Sequence, residues 1–307
     1  MNNTKKKIIT PLKDLNLSNR FLFDQVAEDE QAHRDMLEII FGKEIPLLTK
    51  NETEKEFRVS PLIRSIRMDV CAMDEEKSIY NTEMQDEKKT DLAKRSRYYQ
   101  SMMDTSLLEP GIPDYNLLNQ SFIIMIMTFD LFGYKKYMYT FEPRCREVPE
   151  CTLADGTTRI FLNTKGENNN EVSKELVDFL HYIENTTSEV AENSGSKRIQ
   201  RIHDRVCKVK SNEKMGVKFM QAWEEKYYEH QAGKDEGLKE GRKEGRVEGL
   251  ELKLIHQVCK KLSKNLSVPE IADMLEEDET MIQRIVDIAI PSAPDYDAEK
   301  ILEKLKK

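Results

Sequence analysis

The chain has 307 residues, with 48 Lys and Arg against 56 Asp and Glu, for a formal charge of −8. A hydrophobic share of 38% is enough for a core and excludes wholesale disorder, and a charged share of 34%, against about 25% in ordinary soluble domains, implies a helical stretch solvated on most sides. The longest apolar run, 122–127, is far short of the roughly 20 residues of a membrane span, which excludes a membrane protein.

The basic first residues lead into no apolar segment, so a cytoplasmic location without a secretory signal is expected. Residues 1 to about 60 read as a helical entry. Phe21, Phe23 and Val26, then Met36, Leu37, Ile39, Ile40 and Phe41, recur at helical spacing, and Gly42 stops the run. Residues 61–165 then change to strands with one helix between them. Ile66, Met68, Val70 and Ala72 alternate with Arg67, Asp69 and Cys71, which predicts a strand over 65–73. The polar cluster 74–77 is a turn and 78–85 a return strand, together a β-hairpin. A helix follows over 86–107, a buried central strand over 122–129, a further strand over 137–148, and another over 157–164 after the turn at Ala154-Asp155-Gly156. Residues 170–230 return to helix. Helices flanking a mixed sheet predict an α/β domain.

Gly233, Gly237, Gly241, Gly245 and Gly249 fall every four residues in a charged stretch. On a helix they form a slowly drifting stripe along which a second copy of the chain could pack. Each glycine costs roughly 0.8–1 kcal/mol against alanine, which favours a charged, weakly helical linker instead. Beyond it, residues 252–262 and 268–290 predict two or three short helices, with Ser267 an N-cap ahead of Pro269. Their spacing is that of a helix-turn-helix, but Asp273, Glu276, Glu277, Asp278 and Glu279 repel phosphate, and a small packing or docking module is expected. The five cysteines include no C-x-x-C pair and the five histidines no ligand spacing, so neither a disulfide framework nor a structural zinc site is expected.

The hairpin holds the arrangement that carries chemistry. Glu83 and Gln85 leave one face of the return strand, and Asp69 shares that face if it sits opposite Glu83. That register requires an odd loop or a bulge, and it sets Arg67 opposite Gln85. Two acids and an amide then offer hard oxygen ligands suited to Mg²⁺, which polarises a phosphoryl oxygen and lowers the pKa of a bound water. Spacing alone is a weak signal, because paired acids on strands are ordinarily a solvated face.

The residues Arg67-Met68-Asp69-Val70, Asn81-Thr82-Glu83-Met84-Gln85, the stretch from Arg95 to Gln100 with Tyr98 and Tyr99, Gly111, Tyr115 and the run 122–133 ending in FDLFG carry a resemblance. In order and spacing this set resembles the PD-(D/E)XK nuclease family transposases, also described as recombination-promoting nucleases. The glycine repeat and the tail after it are similar to the C-terminus of that family. The resemblance implies a restriction-endonuclease-like core, a mixed sheet flanked by helices, over 1–230, followed by the repeat at 231–250 as linker or helix and a helical tail at 251–307. It implies a metal-dependent DNA endonuclease linked to recombination or mobile elements, using Mg²⁺ or another divalent ion such as Mn²⁺ or Ca²⁺. Asp69 and Glu83 would be metal ligands, Met84 would offer its carbonyl, and Gln85 stands where most such nucleases place lysine. The fixed charge a lysine supplies must then come from the metal and from Arg67 or Arg95. Asn19 stands where the family often has an acid, so a third acidic ligand is not identified; Asp24 and Glu28 are its nearest substitutes.

An acidic chain can meet DNA only through local patches. Residues 88–97 hold five bases against Asp91, and 197–218 hold eight against Asp204 and Glu213. Lys94, Arg95 and Arg97 in the first, Arg198, Arg201 and Arg205 on one helix face in the second, and Arg67 of the hairpin are candidate nucleic-acid contacts. Tyr98 is a candidate for base stacking, or else packs its helix on the sheet. The competing function on the same fold is a catalytically weak or inactive protein that binds DNA or self-associates through its C-terminal region.

Overall fold

The computed structural model describes residues 9–46, 52–57, 66–75, 77–107 and 113–306; for 52–57, 66–69, 106 and 107 it describes the backbone alone. The chain divides into two compact units, Met1–Met220 and Gln221–Lys307. In the first, helices α1 (Arg20–Ala27) and α2 (Glu30–Phe41) precede strands β1 (Glu52–Phe57), β2 (Ile66–Met73) and β3 (Ile79–Gln85). Helix α3 (Leu92–Leu107), strands β4 (Ser121–Met127), β5 (Met138–Phe141) and β6 (Thr157–Asn163), and helices α4 (Lys174–Glu184), α5 (Ser188–Asn193) and α6 (Lys197–Ser211) complete it, with the first turns of α7 (Glu213–Leu262). Local chemistry sets these starts. The side chains of Asn19, Asp29, Ser173, Thr187 and Ser196 cap α1, α2, α4, α5 and α6, and Gly42 ends α2 in the left-handed conformation.

Among the described residues the strands form one six-stranded sheet in the order β1-β2-β3-β4-β6-β5. It is mixed: β3, β4 and β6 run parallel, and the β1–β2, β2–β3 and β5–β6 pairs are antiparallel. Strand alternation splits the core in two. Val70, Ala72, Tyr80, Met84, Ile124, Ile126, Ile160 and Leu162 pack against α1, α2, α4 and α6, where Phe23, Leu37, Phe179 and Ile202 are wholly buried. Burying each such side chain stabilises the fold by about 1.5–3 kcal/mol. On the opposite face Cys71, Ile79, Ile123, Met125, Met127 and Phe161 pack against Leu92, Tyr99, Met102 and Met103 of α3. This is the restriction-endonuclease-like α/β arrangement expected from the sequence.

Three elements differ from expectation. Strand β1 lies in the segment read as helix. Its sequence, ETEKEF, has no apolar period to reveal it, and its charges suit the sheet edge it occupies, where they discourage pairing with another chain. The strand expected over 137–148 is limited to Met138–Phe141, after which an irregular connection leads to β6. Other parts of the entry segment, 1–8, 47–51 and 58–60, lie outside the described residues.

The third difference is the glycine repeat, which is helical and belongs to α7 rather than to a linker. The early turns of α7 bury Phe219 in the first unit's core, and its late turns bury Ile255, Val258 and Cys259 in the second's. A helix nucleated at both ends propagates through poor formers, because nucleation rather than extension carries the main cost. Nothing lies within 4 Å of a Cβ built at Gly237, Gly241 or Gly245. The triple substitution to alanine is therefore expected to stabilise this helix by about 2–3 kcal/mol, at roughly 0.8–1 kcal/mol per site. Thermal melting followed by far-UV circular dichroism reads this, and an unchanged midpoint would show that 233–249 is not helical in solution.

The second unit adds α8 (Val268–Leu275), α9 (Glu279–Ala289) and α10 (Ala298–Leu305) to the end of α7. Ser267 is the N-cap of α8, as expected, and forms a capping box with Glu270, while α10 lies beyond the helices expected over 252–290. Ile271, Ile282, Ile285, Ile301 and Leu302 close a small core of their own.

Candidate active site

Strand β3 lies between β2 and β4, and its residues are all buried. Its antiparallel ladder to β2 pairs Val70 with Thr82, Cys71 with Asn81, Ala72 with Tyr80 and Met73 with Ile79. Continued one step past Val70–Thr82, that register would set Asp69 opposite Glu83. Asp74 sets the register at the hairpin turn. Its carboxylate accepts the Ser78 N–H and the Tyr80 hydroxyl, each at 2.8 Å, and Lys77 takes a positive φ of 63°. The connection from 74 to 78 is odd in length, as convergence of the two acids requires. The side chains of Arg67 and Asp69 lie outside the described residues, as do Glu76 and Gly111.

Asn81, Glu83 and Gln85 share the sheet face covered by α3. Glu83 is 0% exposed, Asn81 is buried beside it, and Gln85 is 6% exposed at the carboxyl end of the strand. The Asn81 amide donates to Glu83 Oε1 at a long 3.4 Å, and Arg95 Nη2 of α3 stands 3.8 Å from Oε2. Arg95 is itself held from the next helical turn: its Nε donates to the Tyr99 hydroxyl at 2.6 Å. The Met84 side chain is buried on the opposite face, so its main-chain carbonyl is the group it can offer. The Thr128 N–H donates to the Gln85 carbonyl at 3.2 Å, tying the end of β3 to the loop after β4.

That loop carries the FDLFG residues. Asp130 accepts the N–H groups of Phe132, Gly133 and Lys135 and the Tyr139 hydroxyl. Burial pushes its carboxyl pKa up, but the Lys135 and Gly133 N–H bonds, with those from Tyr139 and Phe132, outweigh burial and hold it below the ordinary value. Asp130 thus shapes the loop. Asn81 and Asp130 belong to the motifs quoted from the sequence without a role of their own, although the place of Asn81 two residues before Glu83 puts it on the same strand face.

The oxygen donors at β3 are a carboxylate, an amide and a main-chain carbonyl, with no thiolate or imidazole among them. Such a set fits a hard divalent cation. Among the described residues no group of three His, Cys, Asp or Glu stands ready as a metal cluster. Of the two substitutes for a third acid, Asp24 is buried in α1 and Glu28 is exposed at its end.

The two basic patches separate. On α3, Lys94 and Arg97 are exposed, Arg95 turns towards Glu83, and Tyr98 is half-buried against the core beneath the helix. Arg198, Arg201 and Arg205 of α6, candidate phosphate contacts in the sequence, each have partners within the fold. Arg198 pairs with Glu38 at 2.7 Å and Glu175 at 3.3 Å, and Arg205 donates to the Gln25 carbonyl at 3.3 Å. Arg201 grips Asp35 with two hydrogen bonds, at 2.8 and 2.5 Å. Through these pairs that helix face joins α6 to α2 and α4. These bonds, led by the one from Glu38 for Arg198 and from Asp35 for Arg201, hold both guanidinium pKa values above the ordinary one.

No helix among the described residues is long and apolar enough to cross a membrane. No curated protein and no solved structure matches the chain. A family model described as PD-(D/E)XK nuclease family transposase matches residues 16–236, which takes in the sheet, α3, the candidate site and the start of the glycine repeat. The chain belongs to the PD-(D/E)XK nuclease family transposases.

Proposed function

We propose that the chain is an endonuclease that hydrolyses DNA phosphodiester bonds with a divalent metal ion, Mg²⁺ by preference, in recombination or mobile-element biology. The observation that carries this reading is the burial of the Glu83 carboxylate in the middle of the sheet, on a strand whose register to β2, continued one step past Val70–Thr82, would set it opposite Asp69. Carboxylate, amide and main-chain carbonyl oxygens brought together at one strand end are the hard ligands a divalent ion takes. Asp69, Glu83 and the Met84 carbonyl would hold the metal, which when bound supplies Lewis acidity and a more acidic water. Gln85 orients the attacking water through its amide but brings no charge. Arg95, beside Glu83, brings the fixed positive charge that the strand lacks at position 85.

DNA enters along the amino-terminal half of α3 and the segment before it, where Lys88, Lys89, Lys94 and Arg97 are exposed next to the strand end carrying Glu83 and Gln85. Replacing Lys94 and Arg97 together by glutamate is expected to weaken DNA binding and to flatten its logarithmic salt dependence by about 0.9 for each phosphate no longer neutralised. Binding isotherms at several salt concentrations measure the slope, and an unchanged slope would remove α3 from the DNA path.

Gln85 also supports a second reading, in which the same fold binds DNA without cutting it. Plasmid nicking with Mg²⁺, with chelator, and with Asp69→Asn separates the two. Cleavage by the unaltered chain, lost with chelator and in the variant, supports the nuclease. Equal cleavage by both proteins would trace the activity to another site or to contamination. Absence of cleavage with DNA binding retained would establish the binding protein.

A further inference from the structure

The connection between β5 and β6 folds back on itself as a small hairpin. Arg144 and Thr152 form an antiparallel bridge. To either side, the Leu153 N–H donates to the Pro143 carbonyl at 3.0 Å and the Cys145 N–H to the Cys151 carbonyl at 2.9 Å. Cys145 and Cys151 are therefore directly opposite each other, with side chains on one face. The Cys151 N–H closes the turn onto the Val148 carbonyl at 2.9 Å, and Cα atoms facing across an antiparallel ladder lie about 4.5–5.5 Å apart, inside the roughly 4.4–6.8 Å range of disulfides. Both thiols are free; Cys151 is exposed and Cys145 half-exposed. Their sulfur contacts are weak: Cys145 Sγ to Glu147 Oε2 at 3.5 Å and Cys151 Sγ to the Thr152 carbonyl at 3.8 Å. The remaining cysteines are placed differently. Cys71 and Cys259 are buried in separate cores, and exposed Cys207 lies on α6 with its sulfur 3.4 Å from His203 Nε2.

We propose that Cys145 and Cys151 form a redox-active dithiol, a modification site that small disulfides convert to a disulfide within the hairpin. The Cys151 thiolate attacks one sulfur of glutathione disulfide, forming a mixed disulfide and expelling one glutathione thiolate. The Cys145 thiolate then attacks the Cys151 sulfur and expels the second. The protein loses two electrons and two protons, and glutathione disulfide is reduced to two thiols. The second step is favoured because the Cys145 thiol is already at disulfide range, while a second glutathione must be captured from solution. The closed ring clips the connection behind β5, the edge strand of the sheet.

Trypsin makes the pairing readable, because Arg146 lies between the two cysteines and Arg144 precedes them. The full folded chain is incubated with glutathione disulfide, its remaining thiols are alkylated, and it is digested without reductant. The expected product from monomeric chain is the dipeptide 145–146 linked to peptide 147–159, lighter by two hydrogens than the reduced pair and separated by reductant. Cys207 is expected to carry glutathione instead, and in Cys145→Ser the residue at 151 carries it too. Glutathione on both Cys145 and Cys151 of the unaltered chain would overturn the proposal. So would full alkylation of both, or their linkage only between chains.

Discussion

Glu83→Gln is expected to lower metal-dependent DNA cleavage by about 10²–10³-fold, the range seen when one preorganised electrostatic group is removed from an active site. Glutamine keeps the volume and an acceptor oxygen but removes the negative charge. The side chain is wholly buried, with Asn81 against one oxygen and Arg95 near the other, so the neutral amide fits the same space. The fold is therefore expected to survive, with a melting temperature within a few degrees of the parent, while affinity for Mn²⁺ measured by calorimetry falls with the activity. Glu83→Ala would lose the same charge and also open a void beneath α3, so it tests stability and chemistry together. The amide variant isolates the charge. Cleavage within tenfold of the parent, with metal affinity unchanged, would exclude Glu83 as a ligand.

The second large effect concerns stability. Arg201→Ala is expected to destabilise the first unit by about 3–5 kcal/mol, the cost of leaving a buried charge uncompensated. Asp35 is 0% exposed and accepts two hydrogen bonds from Arg201, with a third from Gln31. Removing the arginine leaves that carboxylate in the core. The reverse substitution, Asp35→Asn, is expected to cost less, because the Arg201 side chain is 45% exposed and can turn to water. Urea unfolding of both variants tests the asymmetry. DNA affinity of Arg201→Ala, measured where the variant remains folded, is expected to stay within about twofold. A stable variant with weakened DNA affinity would restore Arg201 to the nucleic-acid surface.

The same arginine shows where sequence reading stopped. The periodicity of 197–209 located an amphipathic helix and its apolar face, and Ile199, Ile202, Val206 and Val209 are buried on it. What the charged side chains meet is not a local property. Arg198 and Glu38 are 160 residues apart in the chain, and Arg201 and Asp35 are 166 apart. A helix face full of arginine looks the same in sequence whether water or an acidic helix lies against it. The glycine repeat failed differently. Its intrinsic propensity argued for a linker, and the packed turns at either end of α7 overrode it.

The hairpin was the most readable part of the chain, because strand alternation and an odd turn are local. From them alone the sequence determined that Glu83 and Gln85 share a face and what register would bring Asp69 to it, and the order of its motifs identified the family. Tertiary structure decided the rest. It buried Glu83 completely, set Asn81 and Arg95 around its oxygens, drew the α6 arginines into ion pairs, and left Lys94 and Arg97 exposed on α3. The physical reason is one of range. Backbone dihedrals and side-chain periodicity act over a few residues, whereas burial and charge compensation depend on which distant segments come to lie alongside.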